Sequence, residues 1–383
     1  MSRELYKVHE FVAHATDVTC ISIGQISNQV LATGGEDKKV NVWRVGRSSN
    51  IWSLGGNNTA ISALCFDRQE QGIVSGSEGG SLKLYDLSEG KLSRNLKGHM
   101  TNITSVHYHP YGDFIVSGSA DTNMKVWDVR NKSCIQTYKG HSAALTGVEF
   151  SPDGQWVASA GADGLLKIWD ITAGKIRHTF RVPNAAVSAF AFNPCEFLLA
   201  AVTSDRVVKF WDLETFEPLG SSPVLGQPPR ALAFTYEGDA LLTAAEDGIK
   251  EHTWDPEIQI SRHMPIPWNQ MEPVQLMPTK KGGQLLAAAR APKSSIAAVW
   301  QVDLGRGLRE YRADVEAYDP QSALRQRELK QQEKAKKASE AVDALLNDPA
   351  LRPRDDGLSV LGQGMVGAAA PAAAEGAPRR NAP

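Results

Sequence analysis

Gly98-His99…Ser117…Asp121…Trp127-Asp128 is followed 42 residues later by Gly140-His141…Ser159…Asp163…Trp169-Asp170, two copies of one unit. The same rung recurs outward from this pair. Trp43, Tyr85, Trp127, Trp169 and Trp211 stand at 42-residue intervals, with Trp254 43 residues on and Trp300 a further 46. Asp37, Asp121, Asp163 and Asp205 each lie six residues before a rung, and Asp247 lies seven before Trp254. A Ser or Thr precedes the Asp by four in Thr33, Ser117, Ser159 and Thr243, while Ala201 takes that place in the fifth. His14, His99 and His141 sit 22 or 23 residues ahead of their Asp. A fixed period of this length marks one supersecondary unit repeated in tandem.

The unit resembles the WD40 repeat, and its residues suit a hydrogen-bond chain inside one blade. An Asp carboxylate in a tight turn accepts from an imidazole and from backbone N–H groups. A Ser or Thr hydroxyl then bridges the imidazole to the indole N–H. Buried polar groups persist only when satisfied, so the four residues are expected to act together. The tetrad is complete in the repeats ending at Trp43, Trp127 and Trp169. The repeat ending at Tyr85 has Asn57 and Gly79 in place of His and Asp, so it is expected to hold by packing.

Between the landmarks, Ile103–Tyr108, 125–129 and 167–171 alternate with the period of a strand. Ser151-Pro152-Asp153-Gly154, Pro110-Tyr111-Gly112-Asp113 and Thr172-Ala173-Gly174-Lys175 supply turns. Four short strands per repeat, closed around an axis, predict an all-β, seven-bladed propeller over residues 1–304. Its six repeats through Trp254 are followed by a degenerate seventh with apolar runs at 274–277, 284–289 and 296–302. Residues 5–12 read as a lone strand ahead of the first repeat, and the economical place for it is the last blade, closing the ring.

Composition narrows the function classes. Net charge is −2, so no global basic field recruits nucleic acid. No run of 18 apolar residues predicts a membrane span. Cys20, Cys65, Cys134 and Cys195 lie far apart without metal spacing, the pattern of reduced thiols in a cytosolic protein. From Gly305 the repeat ends: 305–318 reads as a linker, 319–347 as a charged helix, and 348–383 as a low-complexity Ala/Pro/Gly tail.

No catalytic residue, cofactor or metal is expected. Gly76-Ser77-Glu78-Gly79-Gly80 lacks the Lys-Ser/Thr of a phosphate loop and falls at an inter-strand turn. His107 and His109 could offer two metal ligands, but no third lies near, and His109-Pro110 stands where Ser151-Pro152 and Asn193-Pro194 stand in later repeats. Binding surfaces remain. The loop leading into each repeat and the turn carrying the Asp share one rim. They bring Lys38, Lys39, Lys97, Lys139, Arg181, Arg206 and Arg230 there, a basic face suited to an acidic partner such as a tubulin tail.

Residues between the rungs carry a family resemblance. His14-Ala15 with 31–37, His109–Phe114, Asp121–Arg130, Trp169–Lys175, and Ser204-Asp205-Arg206 with 210–214 are similar to the WD40 domain of the katanin regulatory subunit. That family is the non-catalytic partner of the microtubule-severing ATPase. The resemblance covers roughly residues 9–260 and is most specific in repeats three to five. It implies a scaffold whose partners are tubulin or microtubule-associated proteins, in the cytoplasm and cytoskeleton or a ciliary axoneme or basal body. Family members add a C-terminal helical domain that binds the ATPase, and nothing after Gly305 looks like it. The resemblance therefore does not carry partnership with the katanin catalytic ATPase, and a paralogue using the propeller alone or a shortened form of the chain both fit. Trp127-Asp128-Val129-Arg130 also resembles the Trp-Asp-x-Arg motif of cullin ubiquitin ligase substrate receptors, which makes Arg130 an alternative adaptor contact.

Overall fold

The computed structural model describes residues 5–304, apart from 132, 184, 255–256 and 280–283. The linker, helix and tail expected from 305 onward lie outside the described residues. Seven four-stranded antiparallel sheets form the ring. Blades 1 to 6 span 18–54, 61–97, 103–138, 145–181, 187–221 and 231–264. Blade 7 combines Glu272–Pro278, Gln284–Arg290 and Ile296–Asp303 with Leu5–Val12 from the other end of the chain. That strand pairs antiparallel with Ile296–Asp303, placing Leu5 opposite Val302 and Val12 opposite Ile296. The expected closure is the observed one, and the degenerate seventh repeat is a full blade.

The meander fixes what each face carries. Turns between first and second strands, and between third and fourth, emerge on a lower face. Turns between second and third strands, and loops joining blades, emerge on the upper face. Each rung residue packs on the blade before its own. Trp127 joins Leu82 and Leu96 of blade 2, Trp169 joins Val116 and Met124 of blade 3, and Trp43 joins Leu286 and Ala297 of blade 7. Blades approach closely where the second strand carries glycine: a Cβ on Gly76 would meet Ile103 at 2.7 Å, and one on Gly118 would meet Val148 at 2.7 Å.

The hub is stitched by side chains that the repeat pattern does not reveal. The innermost strand of a blade has one free edge, so its backbone N–H groups need partners. His107 Nδ1 accepts from Phe150 N at 3.2 Å, and Gln275 Oε1 from Ile23 N at 2.8 Å. Cys65 and Glu149, at the same position in their own blades, accept from the backbone of Tyr108 and Phe192. Each bond ties one blade to the next. Burial pushes the Glu149 carboxyl up to about 8, His107 down to about 4, and the Cys65 thiol up to about 11.

Candidate protein-interaction surface

The upper face rests on the tetrads, and the three expected complete ones are complete. His14 meets Asp37 at 2.9 Å and Thr33 at 2.9 Å, and Trp43 donates to Thr33 at 3.0 Å. His99 meets Asp121 at 2.9 Å and Ser117 at 2.7 Å, and Trp127 donates to Ser117 at 2.8 Å. His141 meets Asp163 at 3.0 Å and Ser159 at 2.8 Å, and Trp169 donates to Ser159 at 2.7 Å. An indole can only donate, so the hydroxyl accepts from Trp and donates to His Nε2, which leaves the Nδ1 proton for Asp. Burial accordingly holds His99 and His141 below the usual histidine range, against the opposing pull of Asp121 and Asp163. Burial raises those two carboxyls, but N–H donors from Met100 and Ser142 and the His contacts outweigh it and hold them low. These residues organise the blade and face no open site.

Two expectations are corrected. The sixth rung is His252, not Trp254. Leu241 opposes His252 as Val157 opposes Trp169, and His252 Nε2 meets Thr243 Oγ1 at 2.9 Å. The turn before it is one residue shorter, so the motif's spacing pointed past the strand; Trp254 packs instead between Phe210 and Phe234. Blade 2 does not hold by packing alone. Asn57 Nδ2 donates to Tyr85 Oη at 2.9 Å, and Tyr85 Oη donates to Gly55 O at 3.1 Å, a shorter polar link.

Six candidate cations are exposed on the upper face and make no ion pair among the described residues: Lys38, Lys39, Lys97, Lys139, Arg181 and Arg206. Lys97 and Arg181 end the outermost strands of blades 2 and 4, and Lys139 directly follows that of blade 3. Lys38 and Arg206 occupy the turn between second and third strands of blades 1 and 5, each with φ of 65°. At the same point blades 2 and 4 have Gly80 (φ 77°) and Gly164 (φ 72°), and blade 3 has Thr122 (φ 68°). Arg230 differs, because it bonds Glu272 at 3.0 Å and approaches Glu246 at 3.7 Å. Glu272 also approaches Arg290 at 3.7 Å, and Arg290 donates to the carbonyls of Val18 and Thr19. Arg230 thus belongs to a charge chain binding blades 6, 7 and 1 together.

Motif reading missed a second row of cations. Lys83, Lys125, Lys167 and Lys209 lie two residues before successive rungs, at the same 42-residue spacing, and a search for that spacing would have found them. In the first two the head of the side chain reaches a polar group. Lys83 Nζ donates to Gly56 O, and Lys125 Nζ to Thr137 Oγ1 at 2.7 Å. Burial, then the neighbouring Lys97 charge, lowers Lys83. Met100 adds an apolar point beside Lys97, with 89% of its surface exposed. Exposed acids on this face include Glu36 and Glu78.

Arg130 lies on the lower face, 76% exposed at its side chain, and donates to Asp113 Oδ2 at 2.5 Å. His107 and His109 are structural. His109 Nδ1 accepts from Tyr111 N and Gly112 N, and Nε2 reaches Gly154 O at 3.1 Å. Among the described residues no group of three His, Cys, Asp or Glu side chains could hold a metal.

Comparison with known proteins places the repeats. The family model "WD domain, G-beta repeat" matches residues 5–44, 90–128, 132–170 and 174–212. A second, "Anaphase-promoting complex subunit 4 WD40 domain", matches 26–107. A katanin p80 WD40 repeat-containing subunit B1 homologue of Arabidopsis thaliana is 43% identical over 79 residues, 21% of this chain and 9% of the relative. Katanin p80 WD40 repeat-containing subunit B1 of Danio rerio is 42% identical over 78 residues, 20% of this chain and 11% of the relative. Angio-associated migratory cell protein of Homo sapiens is 27% identical over 77 residues, 20% of this chain and 18% of the relative. The match thus spans about a tenth of the katanin relatives' length. With three full tetrads, four matched repeats and a ring of seven blades, the chain carries WD40 repeats folded as a seven-bladed propeller.

Proposed function

We propose that this chain is a non-enzymatic scaffold of katanin regulatory-subunit type whose upper face docks an acidic segment of a microtubule or a microtubule-bound complex. Cytoskeletal, and within it axonemal or basal-body, placement follows from that reading. The observation that carries it is the left-handed backbone at Lys38 and Arg206. A non-glycine residue there costs about 1 kcal/mol; blades 2 and 4 avoid the cost with Gly80 and Gly164, and blade 3 bears it with the uncharged Thr122 (φ 68°). Long cations retained at strained turn tips point to use of their charge. Lys97, Lys139 and Arg181, backed by Lys83, Lys125 and Lys167, extend the positive arc, and Met100 offers it an apolar contact.

The test exploits the same strain. The double variant Lys38→Gly/Arg206→Gly keeps the turn and is expected to match or exceed the parent's thermal stability. Its cosedimentation with microtubules should nonetheless weaken about fivefold or more at low salt. Undiminished cosedimentation of this variant, and of Lys38→Glu/Lys39→Glu/Arg206→Glu, would remove the proposal. In the ubiquitin-ligase alternative an adaptor would engage the lower face and displace the Arg130–Asp113 pair; adaptor co-purification lost on Arg130→Ala would favour it.

A further inference from the structure

On the lower face, two blade junctions are sealed by a side chain from the turn after the innermost strand. His109 Nε2 meets Gly154 O at 3.1 Å between blades 3 and 4. Asn193 Nδ2 donates to Gly238 O at 2.7 Å between blades 5 and 6. Ser151 holds the same position between blades 4 and 5 and is too short to cross. Its hydroxyl turns back to Asp153 Oδ1 at 2.5 Å and to Trp156 O at 3.1 Å. The junction therefore stays open as a shallow cleft, walled by Pro152, Trp156, Phe197 and Leu213, with Asp153 and Glu196 beside them.

The chemistry of this cleft is that of a cation seat. Trp156 and Phe197 stand with ring centroids 6.2 Å apart and present π surface to a methylene stem. Asp153 accepts only from neutral donors, Ser151 Oγ and Gln155 N, and neither it nor Glu196 has a cationic partner among the described residues. Trp156 already takes a guanidinium, since Arg177 lies 4.7 Å from its ring centroid. Arg177 does not line the cleft. Phe216 buttresses the wall from a left-handed turn position (φ 59°), where blades 2 and 4 have Gly90 and Gly174. Its ring stacks on His178 at 4.9 Å and approaches Trp156 at 6.2 Å.

We propose that the cleft between blades 4 and 5 seats a lysine or arginine side chain of a basic partner segment, with the stem laid across Trp156 and Phe197 and the charge beside Asp153 and Glu196. The site lies on the face opposite the basic arc and stands independently of the microtubule reading. The test labels the tryptophans with 5-fluorotryptophan and assigns Trp156 by Trp156→Phe. The propeller is then titrated with acetyl-Gly-Lys-Gly-amide, acetyl-Gly-Arg-Gly-amide and the isosteric acetyl-Gly-Gln-Gly-amide. The Trp156 resonance should shift saturably with the Lys and Arg peptides and not with Gln. Asp153→Asn/Glu196→Gln, whose unfolding midpoint and other fluorine resonances serve as the folding control, should weaken the response at least fivefold. No Trp156 shift with either cationic peptide, an equal shift with the Gln peptide, or an undiminished response in the double variant would overturn the assignment.

Discussion

Ser159 shows how one hydroxyl carries a blade. Its Oγ accepts from Trp169 at 2.7 Å and meets His141 at 2.8 Å, all three side chains being buried. Ser159→Ala leaves an indole N–H and an imidazole nitrogen without partners, so the unfolding free energy should fall by about 2–4 kcal/mol. Thr243→Ala breaks only the His252 contact and should cost about half as much; urea denaturation of the two variants side by side checks the ranking. Glu149 gives a sign-defined pH test. Its carboxyl is held at about 8 in the folded hub against 4.5 as the ordinary value, so folding takes up a proton between those values. Stability then falls as pH rises from about 4.5 through 8. Glu149→Gln preserves the acceptor, as Gln275 does in blade 7, and should raise stability by about 2–3 kcal/mol at pH 7.5 while removing that slope. On the acid side both should weaken below pH 6.5, because the unfolded chain protonates His107 and His252 while the folded hub holds them at about 4. The variant should weaken more steeply, since the parent's Glu149 contributes the opposite slope down to about pH 4.5. Thermal scans across pH 4–9 read both limbs.

At the scale of the element, the seam strand Leu5–Val12 is the least local part of the fold. Phe11 is buried against Trp43, ring centroids 4.6 Å apart, and joins the core shared by blades 7 and 1. Phe11→Ala should cost about 3 kcal/mol in urea denaturation. Deleting residues 1–12 should do more than subtract contacts, because it exposes the full edge of Ile296–Asp303. The expected outcome is concentration-dependent association by light scattering, with retained solubility and a sharp melt counting against the closure as a requirement. Elements were legible where the sequence repeats itself: four landmark residues, alternation between them and turn chemistry located the strands and the closing segment. They were illegible where geometry substitutes for pattern. His252 replaces a tryptophan one turn residue early, Asn57 and Tyr85 replace a tetrad, and Cys65, His107, Glu149 and Gln275 share a role with no common chemistry beyond an acceptor atom. The candidate surface was half visible: the loop cations could be read from the motif, but the φ of 65° at Lys38 and Arg206 and the ion pairs of Arg230 could not.

Across the described residues as a whole, the upper face is electrostatically uneven from blade to blade. The upper arc of blades 1–5 holds unpaired cations, while blades 6 and 7 hold theirs in pairs with Glu246, Glu272 and Asp247. An acidic partner should therefore bind off-centre, over blades 2–4. Reversal of Lys97, Lys139 and Arg181 to Glu should lower its association rate about tenfold at low ionic strength and far less near 0.5 M salt, where charges are screened within a few ångströms. Arg230→Gln should leave that rate unchanged and lower the melting temperature instead. Stopped-flow association with a glutamate-rich peptide over a salt series separates the two effects.

The pairing of Leu5 with Val302 also sets a clock on biosynthesis. Leu5–Val12 is made long before its place in the ring exists, since its one sheet neighbour among the described residues is made some 290 residues later. At about 5–20 residues per second, that strand waits on the order of 15–60 seconds without its partner. Blades 1 to 6 have their own strands in local order and can form as they emerge; the ring cannot lock until translation has passed Asp303. A nascent chain stalled before that point would carry an unpaired strand at one end and an unfinished blade at the other, which makes this seam the interval in which the protein most needs a chaperone.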